Sequence, residues 1–143
     1  MNIVCGHCFT TNRIPVDKNH TQAKCGKCQQ AIYSLSAVPL GDNTFYPYIE
    51  RNHLPVVVDF WASWCGPCQN MAPIYERVAQ ASESLLFAKL NTEQAQKIAA
   101  EANIRSIPTI IFFHQGKEID RISGGLNEAQ LKQWLLSNIK KIA

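Results

Sequence analysis

The six cysteines of this chain occur as three C-x-x-C pairs, and this arrangement restricts the fold more than any other feature. The pairs are Cys5/Cys8, Cys25/Cys28 and Cys65/Cys68. Two cysteines at this spacing can share a metal ion or form a disulfide, and the surrounding sequence decides between these uses. The surroundings of the third pair differ from those of the first two, so we expect two different purposes.

The first two pairs have the spacing of a zinc site, C-x2-C-x16-C-x2-C. A glycine after the first cysteine of each pair allows a tight turn that directs both sulfurs at one ion. A segment of about 35 residues also needs a metal, because it is too small to fold on an apolar core alone. Two disulfides are the alternative. The spacing predicts one structural Zn²⁺, in a closed shell formed by Cys5, Cys8, Cys25 and Cys28.

The third pair lies between a predicted strand and a predicted helix. The apolar run Val56–Trp61 precedes it, and apolar residues at helical spacing follow it. Cys65 is therefore expected at a helix N-terminus, where free N–H groups stabilise a thiolate and lower its pKa. Pro67 suits a first helical turn, and Cys68 lies over the same turn, within bonding distance of Cys65.

Asp59 interrupts the apolar run that precedes the third pair. A buried carboxylate is costly unless it has a partner or a chemical role. Desolvation raises the pKa of such a group toward neutrality, where it can exchange protons. The alternative is a solvated acid at the end of a strand.

The periodicity of the chain predicts an α/β fold with a mixed central sheet and helices on both faces. We expect a zinc module over residues 1–36 and this second domain over residues 37–143, with residues 33–43 as a connector. Residues 42–44 are expected to cap a short helix that ends near residue 52. From residue 56 the order is β-α-β-α-β-β-α, and Asn127 with Gln130 forms the capping box of the last helix.

Composition and charge restrict the possible partners. Hydrophobic residues make up 46% of the 143 residues, as in globular proteins, and no apolar run approaches the roughly 18 residues that span a membrane. The N-terminus does not resemble a signal peptide, so we expect the reducing cytoplasm. The net charge of +3 arises within residues 1–36, where bound thiolates and zinc would reduce it. We therefore do not expect a nucleic-acid partner.

Six short motifs follow one another along residues 42–143: VDFWA at 58–62, WCGPC at 64–68, AP at 72–73, AKLN at 88–91, IRSIPT at 104–109 and FFHQG at 112–116. In their order and spacing, these motifs resemble the thioredoxin family. The added double C-x-x-C module resembles the zinc-containing thioredoxin 2 type of bacteria.

The resemblance implies a protein disulfide reductase that works by dithiol–disulfide exchange. Cys65 is then the nucleophile and Cys68 the resolving cysteine, and their disulfide is the redox-active group, with no bound organic cofactor. Asp59 assists proton transfer at Cys68, and Lys89 lies near Asp59. Pro108 follows a cis peptide bond and takes part in substrate docking.

The resemblance also implies a surface that binds an extended substrate segment. Trp61 packs beneath this surface, and Gln69 departs from the family, since many members carry Lys there. The implied partners are disulfide-containing proteins and an NADPH-dependent thioredoxin reductase, and the protein is expected to be a monomer. The expected substrate-binding residues are Trp64, Gly66, Pro67, Ile107 and Gly124.

Two other functions compete with this interpretation. A disulfide oxidase or isomerase of the same fold would use the same cysteines at a higher reduction potential. A redox-sensing zinc-knuckle binding protein would use the second domain only as a scaffold, releasing its metal on oxidation. A scaffold has no need of Asp59, Pro108 or the third cysteine pair, which favours the enzyme.

Overall fold

A five-stranded mixed sheet forms the centre of the protein, whose computed structural model describes residues 1–143. Its strand order is β3-β5-β4-β6-β7. The strands β3, β5 and β4 are parallel to one another, β6 is antiparallel to β4, and β7 is antiparallel to β6. A separate hairpin, β1-β2, lies in the N-terminal segment. The elements are β1 Asn2–Val4, β2 Thr11–Arg13, β3 Val38–Leu40, α1 Phe45–Arg51, β4 Val56–Trp61, α2 Gly66–Gln80, β5 Leu86–Asn91, α3 Gln96–Glu101, β6 Thr109–His114, β7 Lys117–Ser123 and α4 Glu128–Ile142.

The helices cover both faces of the sheet, which confirms the predicted fold class. Side chains alternate along a strand, so Val58 and Phe60 of β4 pack on the side of α1 and α3, while Val57 packs toward α2 and α4. By the same alternation Asp59 lies on the α2 face of the sheet. The fold therefore directs this carboxyl toward the helix that carries Cys65 and Cys68.

The predicted connector contains a strand that the sequence pattern did not reveal. Within it, β3 pairs in parallel with β5, with Val38 opposite Ala88 and Leu40 opposite Leu90. Pro39 lies at the middle of this strand, and proline normally argues against a strand because it has no N–H. It is tolerated here because β3 is the edge of the sheet, where one side of the strand needs no partner.

The helix caps were predicted with mixed success. In α4 the capping box is confirmed: Asn127 Oδ1 accepts from the Gln130 N–H at 2.8 Å, and Gln130 Oε1 accepts from the Asn127 N–H at 3.0 Å. The predicted cap of α1 is confirmed in position only: Thr44 is the N-cap residue, but its hydroxyl accepts from the Gly41 N–H and not from a helix N–H. None of the helices has both the length and the apolar character to cross a membrane.

The N-terminal segment packs closely on the rest of the protein. Apolar residues of this segment, among them Ile3 and Ile32, belong to the same core cluster as α1. Asn52, which follows α1 and is fully buried, accepts from the Val4 N–H at 2.7 Å and donates to the Tyr48 carbonyl at 2.7 Å. Since these hydrogen bonds are buried, they fix β1 against α1.

A second contact joins the end of this segment to α2. The Tyr33 hydroxyl donates to the Ser82 carbonyl at 3.0 Å, just beyond the C-terminus of α2. His20 lies beside Tyr33, and its Nε2 is 2.8 Å from the Glu83 carbonyl. These hydrogen bonds fix the segment to the turn that follows α2.

Candidate active site and metal centre

The third cysteine pair lies at the N-terminus of α2, as the sequence pattern indicated. A disulfide joins Cys65 to Cys68, with their Cα atoms 5.2 Å apart. Cys65 is the N-cap residue of α2, and its Sγ accepts the Cys68 N–H at 3.2 Å. Gly66 and Pro67 form the first turn between them. In the reduced protein this position offers a thiolate at Cys65 the free N–H groups and positive end of the helix dipole.

The loop before β6 lies against the nucleophile. The Ile107–Pro108 peptide bond is cis, and the Ile107 carbonyl oxygen lies 3.8 Å from Cys65 Sγ. The Pro108 carbonyl accepts from the Gly124 N–H at 2.8 Å, which ties this loop to the end of β7. Cys65 is therefore surrounded by main-chain groups that an extended polypeptide could approach.

Two of the predicted docking residues line an open groove. Trp64 is 70% exposed, and it lines a groove of about 370 Å³ together with Ile107. A Cβ placed on Gly66 or on Gly124 would meet no atom within 4 Å, so space for a ligand lies above both. Gly124 also has φ +96°, a left-handed conformation that favours glycine. The substrate-binding roles of these residues stay predictions.

Cys68 borders a small cavity that does not share its lining residues with the groove. The cavity has a volume of about 130 Å³, and Asp59, Trp61 and Lys89 also line it. Asp59 and Lys89 are directly opposite each other in the parallel β4–β5 ladder. Oδ1 of Asp59 and Nε1 of Trp61 are buried without a hydrogen-bond partner. Cys68 thus shares a cavity with a buried acid and a lysine.

The acidity of Asp59 is strongly shifted by this environment. Burial raises its pKa from 3.8 to about 7, with Lys89 opposing the shift and the Glu76 carboxylate adding to it. A carboxyl group with such a pKa can take or give a proton near neutral pH. Its unpaired oxygen and its place at the cavity that Cys68 borders agree with a proton-transfer role for Asp59, which stays a prediction.

Two other residues line this cavity, Tyr75 and Glu76, and no sequence pattern predicted a role for either in the site. Tyr75 was expected only as part of the apolar face of α2, yet its hydroxyl lies 2.9 Å from the Val57 carbonyl and 2.8 Å from the Ala88 carbonyl. Glu76 received no role. Both follow Cys68 by about two helical turns, so their spacing could have placed them on the face that carries Cys68.

The other four cysteines converge in the N-terminal segment, and none of them is in a disulfide. All four Sγ atoms lie within 4.8 Å of one another, and the Cys5–Cys28 and Cys8–Cys25 sulfurs are each 3.6 Å apart. With Zn–S bonds of about 2.3 Å, a tetrahedral shell separates neighbouring sulfurs by about 3.8 Å. The donor set and its dimensions therefore fit one Zn²⁺ without an open position.

The two cysteine turns have the same backbone design. Each is followed by a residue in the left-handed conformation, Phe9 with φ 61° and Gln29 with φ 67°. The His7 N–H donates to Cys5 Sγ at 3.4 Å, as the Lys27 N–H does to Cys25 Sγ. Hydrogen bonds from the Cys28 backbone and the Asn12 amide lower the pKa of Cys25 to about 6, despite partial desolvation. The pKa of Cys28 rises to about 11 despite a hydrogen bond from the Gln30 backbone, because burial and the sulfurs of the other three cysteines oppose another thiolate there.

Comparisons with known proteins agree with both parts of the site. The family profile described as Thioredoxin matches residues 36–137, and the profile described as Thioredoxin 2, N-terminal, matches residues 4–30. The chain belongs to the thioredoxin family. Since the chain carries Cys65 and Cys68 as a disulfide, it is a thiol–disulfide oxidoreductase.

Individual relatives extend the likeness to the whole chain. Thioredoxin C-3 of Corynebacterium nephridii is 42% identical over 135 residues, which cover 94% of this chain and 93% of the relative. The thioredoxin of Pyropia yezoensis is 39% identical over 71% of this chain and 95% of its own. The crystal structure of Malassezia sympodialis thioredoxin is 30% identical, covers 70% of this chain and 88% of its own, and has a TM-score of 0.64.

Replacing the buried acid of this thioredoxin, Asp59→Asn, should stabilise the fold at alkaline pH. The folded pKa of about 7 exceeds the ordinary value of 3.8, so the native state retains a proton that the unfolded state has lost between these values. The free energy of unfolding therefore falls as pH rises from about 4 to about 7, by up to about 4 kcal/mol. Asp59→Asn removes this loss, and urea unfolding at pH 5 and pH 8 measures it.

The matched control is Asp42→Asn, because Asp42 is an exposed acid outside the cavity. It should keep the wild-type difference in stability between pH 5 and pH 8. Equal pH dependence in wild type and Asp59→Asn would contradict the burial argument.

Proposed function

We propose that this protein reduces disulfide bonds of other proteins through Cys65 and Cys68. The observation that carries the proposal is the different surroundings of the two sulfurs, both of which are buried in the disulfide form. Cys65 caps the helix next to Trp64 and the Ile107 carbonyl, two residues that line an open groove, whereas Cys68 borders the Asp59 cavity. One sulfur is thereby placed to attack a partner from outside, and the other to exchange its proton inside. The names of the relatives support the same activity.

The reaction consists of two thiol–disulfide exchanges. The Cys65 thiolate attacks a substrate disulfide, a Cys65–substrate disulfide forms, and the first substrate sulfur leaves as a thiolate. Cys68 then gives its proton to the Asp59 carboxylate, and the Cys68 thiolate attacks Cys65 Sγ. The second substrate sulfur leaves, and the Cys65–Cys68 disulfide forms. Two electrons have passed from the dithiol to the substrate.

Substrate binding follows from the surface around Cys65. An extended segment lies across Trp64, Ile107 and Gly124, where the main chain of Ile107 is available for strand-like hydrogen bonds. Such main-chain recognition depends little on the side chains of the substrate. The protein is therefore suited to many disulfide-containing proteins rather than to one sequence.

Each turnover leaves the enzyme oxidised, so a partner must restore the dithiol. The partner is an NADPH-dependent thioredoxin reductase, a flavoprotein that passes two electrons from NADPH to the Cys65–Cys68 disulfide. This direction of electron flow requires a reducing compartment, and the cytoplasm meets that requirement. The enzyme works there as a monomer, without a bound organic cofactor.

The N-terminal module, residues 1–36, holds one Zn²⁺ through Cys5, Cys8, Cys25 and Cys28, and the thioredoxin domain covers residues 37–143. The convergence of the four sulfurs supports this assignment. The ion supplies the cross-link that so small a segment needs to keep its fold. A closed thiolate shell has no position for a substrate, so the metal is structural rather than catalytic.

The test is reduction of insulin disulfides coupled to NADPH and a bacterial thioredoxin reductase. We expect NADPH consumption that requires the protein, the reductase and insulin together. A protein that instead oxidises reduced ribonuclease under the same conditions, and leaves insulin intact, would contradict the reductase proposal.

A further inference from the structure

The side chain of Glu76 is a second carboxylate close to the buried acid Asp59. It is half-buried on α2, two turns after Cys68, and lines the same 130 Å³ cavity as Cys68, Asp59 and Lys89. One side of the cavity is therefore acidic in two places, and a single lysine opposes both. None of the steps described above uses Glu76.

The Glu76 carboxylate is held in place from outside the helix. The Ala37 N–H donates to both of its oxygens, at 3.3 Å to Oε1 and 3.1 Å to Oε2. Ala37 is buried and is itself fixed on both sides, by the anchored Tyr33 before it and by β3, which begins at Val38. Hydrogen bonds from a fixed amide restrain the carboxylate that accepts them. Glu76 thus presents a stationary negative charge at the cavity.

Among the groups that face Asp59, the two charged side chains are Glu76 and Lys89, and their charges are opposite in sign. From α2 they are Cys68, Tyr75 and Glu76, and from β5 the facing group is Lys89. The Tyr75 hydroxyl is engaged with two main-chain carbonyls, and burial and the Asp59 charge both raise the pKa of Tyr75 well above its ordinary range. It therefore stays neutral, while Asp59 Oδ1 has no hydrogen-bond partner. The proton affinity of Asp59 depends on the balance between one carboxylate and one ammonium.

We propose that Glu76 is a positioning residue for proton transfer at Cys68, acting as a fixed negative charge that strengthens Asp59 as a base against the opposing charge of Lys89. This inference rests on the proposed reductase function and adds a residue to its resolving step. A base is most effective when its pKa lies near the working pH, and Lys89 alone would pull Asp59 away from that range. The negative charge of Glu76 offsets the positive charge of Lys89, and the Ala37 N–H holds the Glu76 carboxylate in place.

The test is a titration of the Asp59 carboxyl by carbon NMR in the zinc-loaded, oxidised protein, where Cys65 and Cys68 do not ionise. Glu76→Gln keeps the shape and an acceptor for the Ala37 N–H but removes the charge. We expect the Asp59 midpoint to fall by roughly half to one pH unit. Glu83→Gln makes the same change in net charge at an exposed position and should leave the midpoint in place, and Lys89→Met should raise it.

A second readout follows the resolving step itself. In a single-turnover experiment, release of substrate from the Cys65 mixed disulfide should show a pH profile displaced to lower pH in Glu76→Gln. Its alkaline plateau should be roughly twofold lower, because Asp59 has become a weaker base. An Asp59 midpoint that does not move in Glu76→Gln, or moves equally in Glu83→Gln, overturns the proposal. The NMR titration needs no turnover, so its outcome is separate from any failure of the reductase assay.

Discussion

The Cys65→Ser protein should reduce no disulfides, whereas the Cys68→Ser protein should stop halfway, joined to its substrate through Cys65. The difference follows from the setting of the two sulfurs. Cys65 Sγ lies at the helix N-terminus and 3.8 Å from the Ile107 carbonyl, beside the groove in which a substrate would lie. Cys68 borders the inner cavity instead. We therefore expect Cys65 to begin the reaction and Cys68 to complete it.

Insulin reduction and non-reducing mass spectrometry measure the two outcomes. We expect turnover to fall by at least about a thousandfold in both variants, since each removes a sulfur that takes part in the chemistry. A covalent adduct should accumulate only in Cys68→Ser. Ser63→Ala, a change at an exposed residue near the site, serves as the control and should retain turnover. An adduct formed through Cys68 in the Cys65→Ser protein would reverse the assigned roles.

Removal of zinc should destabilise the whole protein rather than only its first 36 residues. The cysteine turns and β1 belong to one apolar cluster with α1, and buried Asn52 joins β1 to the end of α1. Structural zinc contributes roughly 10 kcal/mol or more to the folding of small modules at pH 7. If the module unfolds without its metal, the apolar surface of α1 beneath it becomes exposed to water. We therefore expect the midpoint of thermal unfolding to fall by more than about 10 °C.

Metal analysis and scanning calorimetry, with and without a strong chelator, measure this effect. The wild-type protein should contain one zinc per chain, and Cys25→Ser should lose it together with the same amount of stability. His7→Ala is the matched control, because His7 lies between two ligands and its side chain is exposed. It should keep both zinc and stability. An unfolding midpoint that the chelator leaves unchanged would show that the shared core does not depend on the metal.

The features that the sequence predicted are those written in local patterns. The C-x-x-C spacings indicated which cysteines would converge, the apolar run around Asp59 indicated a buried acid, and Asn127 with Gln130 indicated the last helix. Each depends on residues close together in the chain, or on a periodicity that identifies one face of a strand or helix.

The features that the sequence did not reveal depend on contacts between distant residues. Pro39 concealed the edge strand, whose only partner is β5, about fifty residues later. Asn52 was an ordinary helix end until its hydrogen bond to Val4, 48 residues earlier, was visible. Glu76 gains its place from Ala37, 39 residues before it. Such contacts arise from tertiary packing, so the periodicity of the sequence does not predict them.

The measurement that tests the central claim most directly is the rate at which iodoacetamide alkylates Cys65 in the reduced, zinc-loaded protein, followed from pH 5 to pH 10. The account predicts that Cys65 reacts before Cys68 and reaches half its maximal rate well below the midpoint of a free thiol, which is about 8.5. A midpoint for Cys65 equal to that of free cysteine would contradict activation by the helix N-terminus, and with it the assignment of Cys65 as the attacking sulfur.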